Sequence, residues 1–271
     1  MTKLLLLQAP VLLFYAASIW LMWPFARKPA RLAALLEPRN LARPGVRLLD
    51  GCVAVVVALG LLVFSLVAAR SNEARHSTPP PSAILTGLFV CALLWLLPLA
   101  TVCCRRGFSL ASAFGIRRET ARADIRKGLR YGVMMVFPVF IAGLLAALAL
   151  RILGVEAARQ NISHWISGGL HPGWTLVVCA LAVTLVPLAE EVCFRGVLLP
   201  AFAGKVPRLA PVIGQALLFA LLHVNLAAFP GLFLLGLALG IGYARTGSLL
   251  TPVAMHAVFN LQAVLATLAF L

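Results

Sequence analysis

Long apolar runs separated by short basic stretches set the pattern of this chain. Three runs reach the roughly 20 residues needed to cross a bilayer with no internal charge: Leu4 to Phe25, Ala83 to Cys104 and Tyr131 to Leu150. A fourth, Leu48 to Ala69, carries only Asp50 near its start. Gly173 to Ala203, Leu209 to Ala227, Pro230 to Ala244 and Ser248 to Leu271 follow, so the pattern predicts eight helices. The expected fold class is all-α, a polytopic integral membrane protein whose polar residues of interest lie inside the helical bundle. We divide it into residues 1–172, four N-terminal helices with basic loops, and residues 173–271, a four-helix core. The chain shows no repeat, low-complexity tract or soluble domain.

Composition agrees. Of 271 residues, 62% are apolar and 11% charged, and the mean hydropathy is +1.00, against about 25% charged residues in soluble proteins. A net charge of +15 would suit nucleic acid, but the basic residues sit in short loops between spans, where they set orientation, so no nucleic-acid partner is expected. The Ala26 to Arg47 loop holds six Lys or Arg, Arg70 to Ser82 two and Arg105 to Arg130 eight; later connections hold two, two, none and one. This predicts the Ala26, Arg105, Lys205 and Arg245 connections in the cytoplasm and both termini outside, with Lys3 alone opposing.

Four details refine the picture. Lys3 and Ala16-Ala17-Ser18 resemble a signal peptide, but the run continues to Phe25 and meets Arg27-Lys28, so an uncleaved anchor is expected. The six cysteines (Cys52, Cys91, Cys103, Cys104, Cys179, Cys193) lie in or at the ends of spans with no disulfide or metal spacing, and read as packing residues. Pro79-Pro80-Pro81 makes a non-helical turn. The Arg105 to Arg130 loop, with Leu110, Phe114 and Ile116 among arginines, reads either as a helix in the headgroup layer or as a basic connector.

The chemistry centres on Leu185 to Val197, where two carboxylates and an arginine interrupt an apolar run. Glu190 and Glu191 are the acids well inside a hydrophobic segment, where a charge costs a few kcal/mol or more. Glu191 and Arg195 are four residues apart and share a helical face, so each offsets the other's burial. Glu190, about 100° round the helix, has no such local partner, and a desolvated carboxylate is what a general base needs. A purely structural Glu-Glu-Arg network is the alternative. Cys193 is set aside as a nucleophile. In later spans stand His223, four residues after Phe219, and His256, four residues before Asn260 on one face. His76, His164 and His171 fall in loops and read as solvated.

Depth permits convergence. Glu190 and His223 are equally far in sequence from the turn at Val206-Pro207, roughly 25 Å at 1.5 Å per residue; Asn260 is roughly 20 Å from its own turn, and His256 one helical turn less. Gly236 and Gly240 form a small-xxx-small pattern for close backbone packing.

Glu190-Glu191-x-x-x-Arg195, Phe219-x-x-x-His223 and His256-x-x-x-Asn260, in that order on successive helices, resemble the CPBP family of intramembrane proteases, which includes type II CAAX prenyl endopeptidases and bacterial Abi proteins. The resemblance covers about Trp174 to Leu271. It implies that Glu190 with His223 activates the attacking water, that His256 and Asn260 stabilise the oxyanion, and that Glu191 and Arg195 support them. The preferred reading needs no cofactor, since Asn260 is a poor zinc ligand and a good oxyanion donor. If zinc is used, the resemblance makes His223, His256 and Glu190 its ligands; no HExxH motif decides. The implied function is an intramembrane endopeptidase acting on a membrane-associated peptide or protein, prenylated in the CAAX case, or maturing bacterial peptides or sorting signals. The Arg-, Ala- and Leu-rich composition resembles bacterial members, placing the chain in a bacterial inner membrane. A non-catalytic membrane immunity or binding protein and a proton-coupled transporter are the alternatives; the transporter lacks an internal repeat.

Overall fold

The computed structural model describes residues 2–28, 41, 45–73, 81–103, 109–155, 171–207 and 209–269. Among them there is no strand, only an isolated bridge between Ala203 and Val206. In order, the elements are α1 (Thr2–Ala26), α2 (Leu48–Glu73), α3 (Pro81–Cys103), the short α4 (Leu110–Ala113) and α5 (Arg118–Ile152). A broken span follows: α6 (Pro172–Val183), α7 (Leu185–Glu191), a π-helical segment (Val192–Leu198) and α8 (Leu199–Phe202). The chain ends with α9 (Ala210–Leu222), α10 (Phe229–Thr246) and α11 (Leu250–Ala269).

Six segments are long and apolar enough to cross a membrane, within Gln8–Ala26, Leu48–Val67, Arg118–Ile152, Pro172–Phe202, Phe229–Thr246 and Leu250–Ala269. Six of the eight expected crossings fall on these segments. The third forms α3, whose side chains are described only in part. The sixth, expected over Leu209 to Ala227, is the 13-residue α9, about 20 Å long against a hydrocarbon thickness of about 30 Å. It stops at His223 because the chain turns there. Val224 takes a positive φ of 47°, and the Asn225 side chain accepts from Ala228 N at 2.9 Å, closing the turn that leads into the next helix.

The Arg105 to Arg130 region also differs from expectation. Arg118 to Arg130 continues directly into the apolar run as one 35-residue helix, α5. Phe114 is buried with Val192, Leu199, Val212, Tyr243 and Leu249 rather than lying in the headgroup layer, and Ile116 packs on the same cluster. His76, His164 and Cys104 lie outside the described residues; His171 is exposed, and its Nδ1 accepts from Gly173 N, capping α6.

Helix α5 is the axis of one group, packing against α1, α10 and α11; α2 and α3 pair and cover the broken span. Glycines set the spacing. A Cβ on Gly128 would collide with the Thr251 carbonyl, and one on Gly132 would lie 2.8 Å from the Met255 carbonyl, so the backbones of α5 and α11 approach closely. Pro138, inside α5, has no N–H for the carbonyl of Met134. Ser18 of α1 takes that role: its Oγ donates to Met134 O at 2.8 Å and accepts from Phe137 N at 3.0 Å. The largest core cluster joins Trp95, Phe194, Phe219, Leu235, Leu239 and Met255, directly around the acidic motif.

Candidate active site

The broken span owes its break to Pro187, which cannot donate to Val183 O and interrupts the helix at Thr184. Thr184 Oγ1 donates to Ala180 O at 2.6 Å across the break. Past Glu191 the backbone winds more widely: Leu199 N bonds Phe194 O, five residues back. Such π turns are frequent at functional sites. Gly196 lets this segment approach Phe114, whose ring carbon would lie 2.7 Å from a Cβ there.

Glu191 and Arg195 both have fully buried side chains, and Arg195 Nη1 donates to Glu191 Oε1 at 2.8 Å. The pair expected from four-residue spacing is present even in π geometry. Arg195 Nη2 donates to Gly236 O at 3.1 Å, and its guanidinium lies 5.0 Å from the Phe219 ring centroid and 5.5 Å from that of Phe194. The Gly236 carbonyl also accepts from Gln215 Nε2 at 2.9 Å. It is reachable because Gly236 brings α10 against α9, where a Cβ would sit 3.0 Å from Ala216 Cα. The small-xxx-small pattern thus packs the bundle and delivers an acceptor to the site.

His256 joins the two glutamates. Its Nδ1 lies 2.8 Å from Glu191 Oε1 and its Nε2 3.8 Å from Glu190 Oε2, with the imidazole 3% exposed and the Glu190 side chain 12% exposed. Glu191 is therefore committed to Arg195 and His256, and Glu190 is the more accessible carboxylate. Asn260, one turn beyond His256 and half-buried, donates from Nδ2 to Ala182 O at 2.8 Å, tying α11 to α6.

His223 stands apart. It is exposed at the C-terminal end of α9, with Nδ1 2.8 Å from Phe219 O. The Phe219 ring contacts both imidazoles, its centroid 4.9 Å from that of His223 and 5.6 Å from that of His256. The described contacts place His256, not His223, against Glu190. They bring together Glu190, Glu191, Arg195 and His256, with Asn260 and His223 at the margins.

For zinc, no three His, Cys, Asp or Glu among the described residues form a ligand set. Glu190 and His256 make a pair, and among the described contacts no hydrogen bond or ion pair joins His223 to either. The residues present do not fit the His223, His256 and Glu190 set, and no step below runs through a metal.

Sequence reasoning missed Gln215 and the π segment. Gln215 had a faint signal as a lone buried amide in an otherwise apolar helix; the π turn had none.

Residues 172–262 match the family model of the type II CAAX prenyl endopeptidases, Rce1-like. The match spans about a third of the chain and contains every residue of this cluster. No curated protein and no solved structure matches. Over this stretch the resemblance expected from the three motifs is borne out, and the described helices are those of a multi-pass, all-α membrane protein.

Proposed function

We propose that this chain is an intramembrane endopeptidase in which Glu190 activates water against a peptide bond of a membrane-associated substrate. The observation that carries the reading is His256 held between two adjacent carboxylates, with Glu191 already neutralised by Arg195. Glu190 is then the remaining charge, beside a ring nitrogen too far for a direct hydrogen bond and close enough for both to contact one water or one oxyanion.

The chemistry follows from these positions. Water held on Glu190 attacks the carbonyl carbon and its proton passes to the carboxylate. The carbonyl π pair moves to oxygen, where an Nε2–H of His256 and the Asn260 amide offer donors. Collapse restores the carbonyl and breaks the C–N bond, and Glu190 returns the proton to the leaving amine. Glu191, accepting from Nδ1–H, fixes the ring so that Nε2 faces Glu190. His223, with Nδ1 on a backbone carbonyl, has Nε2 available to assist the water or hold the substrate at the exposed end of the site.

The test is cleavage of tagged membrane peptides, prenylated CAAX and unprenylated, by purified wild type, Glu190→Gln, His223→Ala and His256→Ala, with and without chelator. Turnover is expected to fall at least about 100-fold in Glu190→Gln with substrate binding kept, and to be insensitive to chelator. Cleavage by Glu190→Gln at the wild-type rate overturns the assignment of the base. Loss on chelation restored by zinc overturns the metal-free scheme.

A further inference from the structure

The N-terminal third of α5 takes no part in that chemistry and carries a second pattern. Arg118, Arg122, Arg126 and Arg130 recur every four residues, and all four are exposed. The opposite face is marked by Asp124, Gly128 and Gly132, all buried, where the glycines press on Thr251, Ala254, Met255 and Val258 of α11. At about 100° per residue the arginines centre roughly 140° round the helix from that face, so they face away from the bundle.

Among the described residues little answers their charge. The Asp124 carboxylate meets Lys127 Nζ at 3.3 Å. Glu119 supplies one further exposed carboxylate. Among the described residues none of the four arginines has an ion pair.

Length fixes where this face lies. At about 1.5 Å per residue the 35-residue helix extends about 52 Å, and the run from Tyr131 onward already fills the roughly 30 Å of hydrocarbon. Arg118 to Arg130 therefore occupies the headgroup layer and its edge. Ile125 and Leu129, both exposed, sit between the arginines, at the depth where apolar side chains meet the acyl boundary. Orientation in a membrane requires basic charge and not a particular period. A one-turn ladder of guanidinium groups, each able to grip two phosphate oxygens, is a more specific arrangement.

We infer that this ladder binds the phosphates of acidic phospholipids in the leaflet at the N-terminal end of α5. The headgroups lie along Arg118, Arg122, Arg126 and Arg130, and Ile125 and Leu129 contact the upper acyl chains. The site is independent of the proposed hydrolysis and stands on charge, spacing and exposure.

The experiment uses the full chain in nanodiscs of phosphatidylcholine containing phosphatidylglycerol, followed by native mass spectrometry of the lipids that remain bound. Wild type is expected to retain phosphatidylglycerol over phosphatidylcholine by about tenfold or more. The fourfold Arg→Gln variant should lose that preference. The fourfold Arg→Lys variant, with the charge but not the planar fork, should fall between. Arg151→Gln, one exposed charge at the other end of α5, should match wild type. Pairwise variants at 118 and 122 and at 126 and 130 make the same test should the fourfold Gln variant not fold, each losing part of the preference. Undiminished retention in the Gln variants overturns the inference. So does equal loss in Arg151→Gln, which would make net charge the cause, or a ladder that captures acidic protein or nucleic acid with no phosphatidylglycerol preference.

Discussion

Replacing Arg195 by Met should be among the most damaging single changes in the protein. The substitution keeps the apolar stem and removes the guanidinium, and with it the bonds to Glu191 at 2.8 Å and to Gly236 O at 3.1 Å. Each charge-assisted bond contributes about 1.5–3 kcal/mol. The Glu191 carboxylate would remain fully buried, with Oε2 already unpartnered and His256 the described partner left to it. Breaking a buried pair from one side costs about 3–5 kcal/mol, and the two routes agree. Glu191→Gln should cost a similar amount, since it strands the guanidinium. The double variant removes both charges, so it should be less destabilised than the sum of the singles by about 3 kcal/mol. Denaturant unfolding in mixed micelles, followed by helical circular dichroism, measures all three. A cost below about 1 kcal/mol for Arg195→Met, as for an exposed pair, or strict additivity of the two changes, would refute the burial and coupling argued here.

Two further outcomes follow from the helix contacts. Gly236→Ala places a Cβ 3.0 Å from Ala216 Cα and should cost about 1–3 kcal/mol and lower turnover by displacing the carbonyl that holds Arg195, whereas Gly60→Ala, with nothing within 4 Å, should gain about 0.5–1 kcal/mol; the same unfolding assay compares them. Ser18→Ala leaves Met134 O without its hydroxyl donor and should cost about 1–3 kcal/mol, and adding Pro138→Ala, which restores a backbone N–H for that carbonyl, should recover part of the loss; a double variant no more stable than Ser18→Ala alone would sink that account.

What could be read in advance depended on whether the signal was local. Glu191 and Arg195 lie one turn apart in one segment, so their pairing needed only helical periodicity. The apolar runs of α1, α2 and α11 announced themselves by length. The stop of α9 at His223 did not, because Leu226, Ala227 and Ala228 keep the hydropathy high through a turn held by Asn225 and the backbone of Val224. Phe114 looked interfacial among arginines, and its burial follows from Gly196, which lies far along the chain. The π segment leaves apolar spacing unchanged, and Gln215 acquires meaning only when Gly236 is brought beside it. These depend on tertiary contacts that a single segment does not encode.

The placement of His256 on the final helix has a consequence for the order of synthesis. Glu191 and Arg195 emerge together and offset each other's charge while their span enters the bilayer. The imidazole that turns toward Glu190 is made 65 residues after Glu191. Until α11 docks against α5 and α7, the carboxylates are housed and the site is incomplete. On the proposed function, a nascent chain stalled before α11 would lack His256 at Glu190, and assembly itself would delay the onset of hydrolysis until α11 docks.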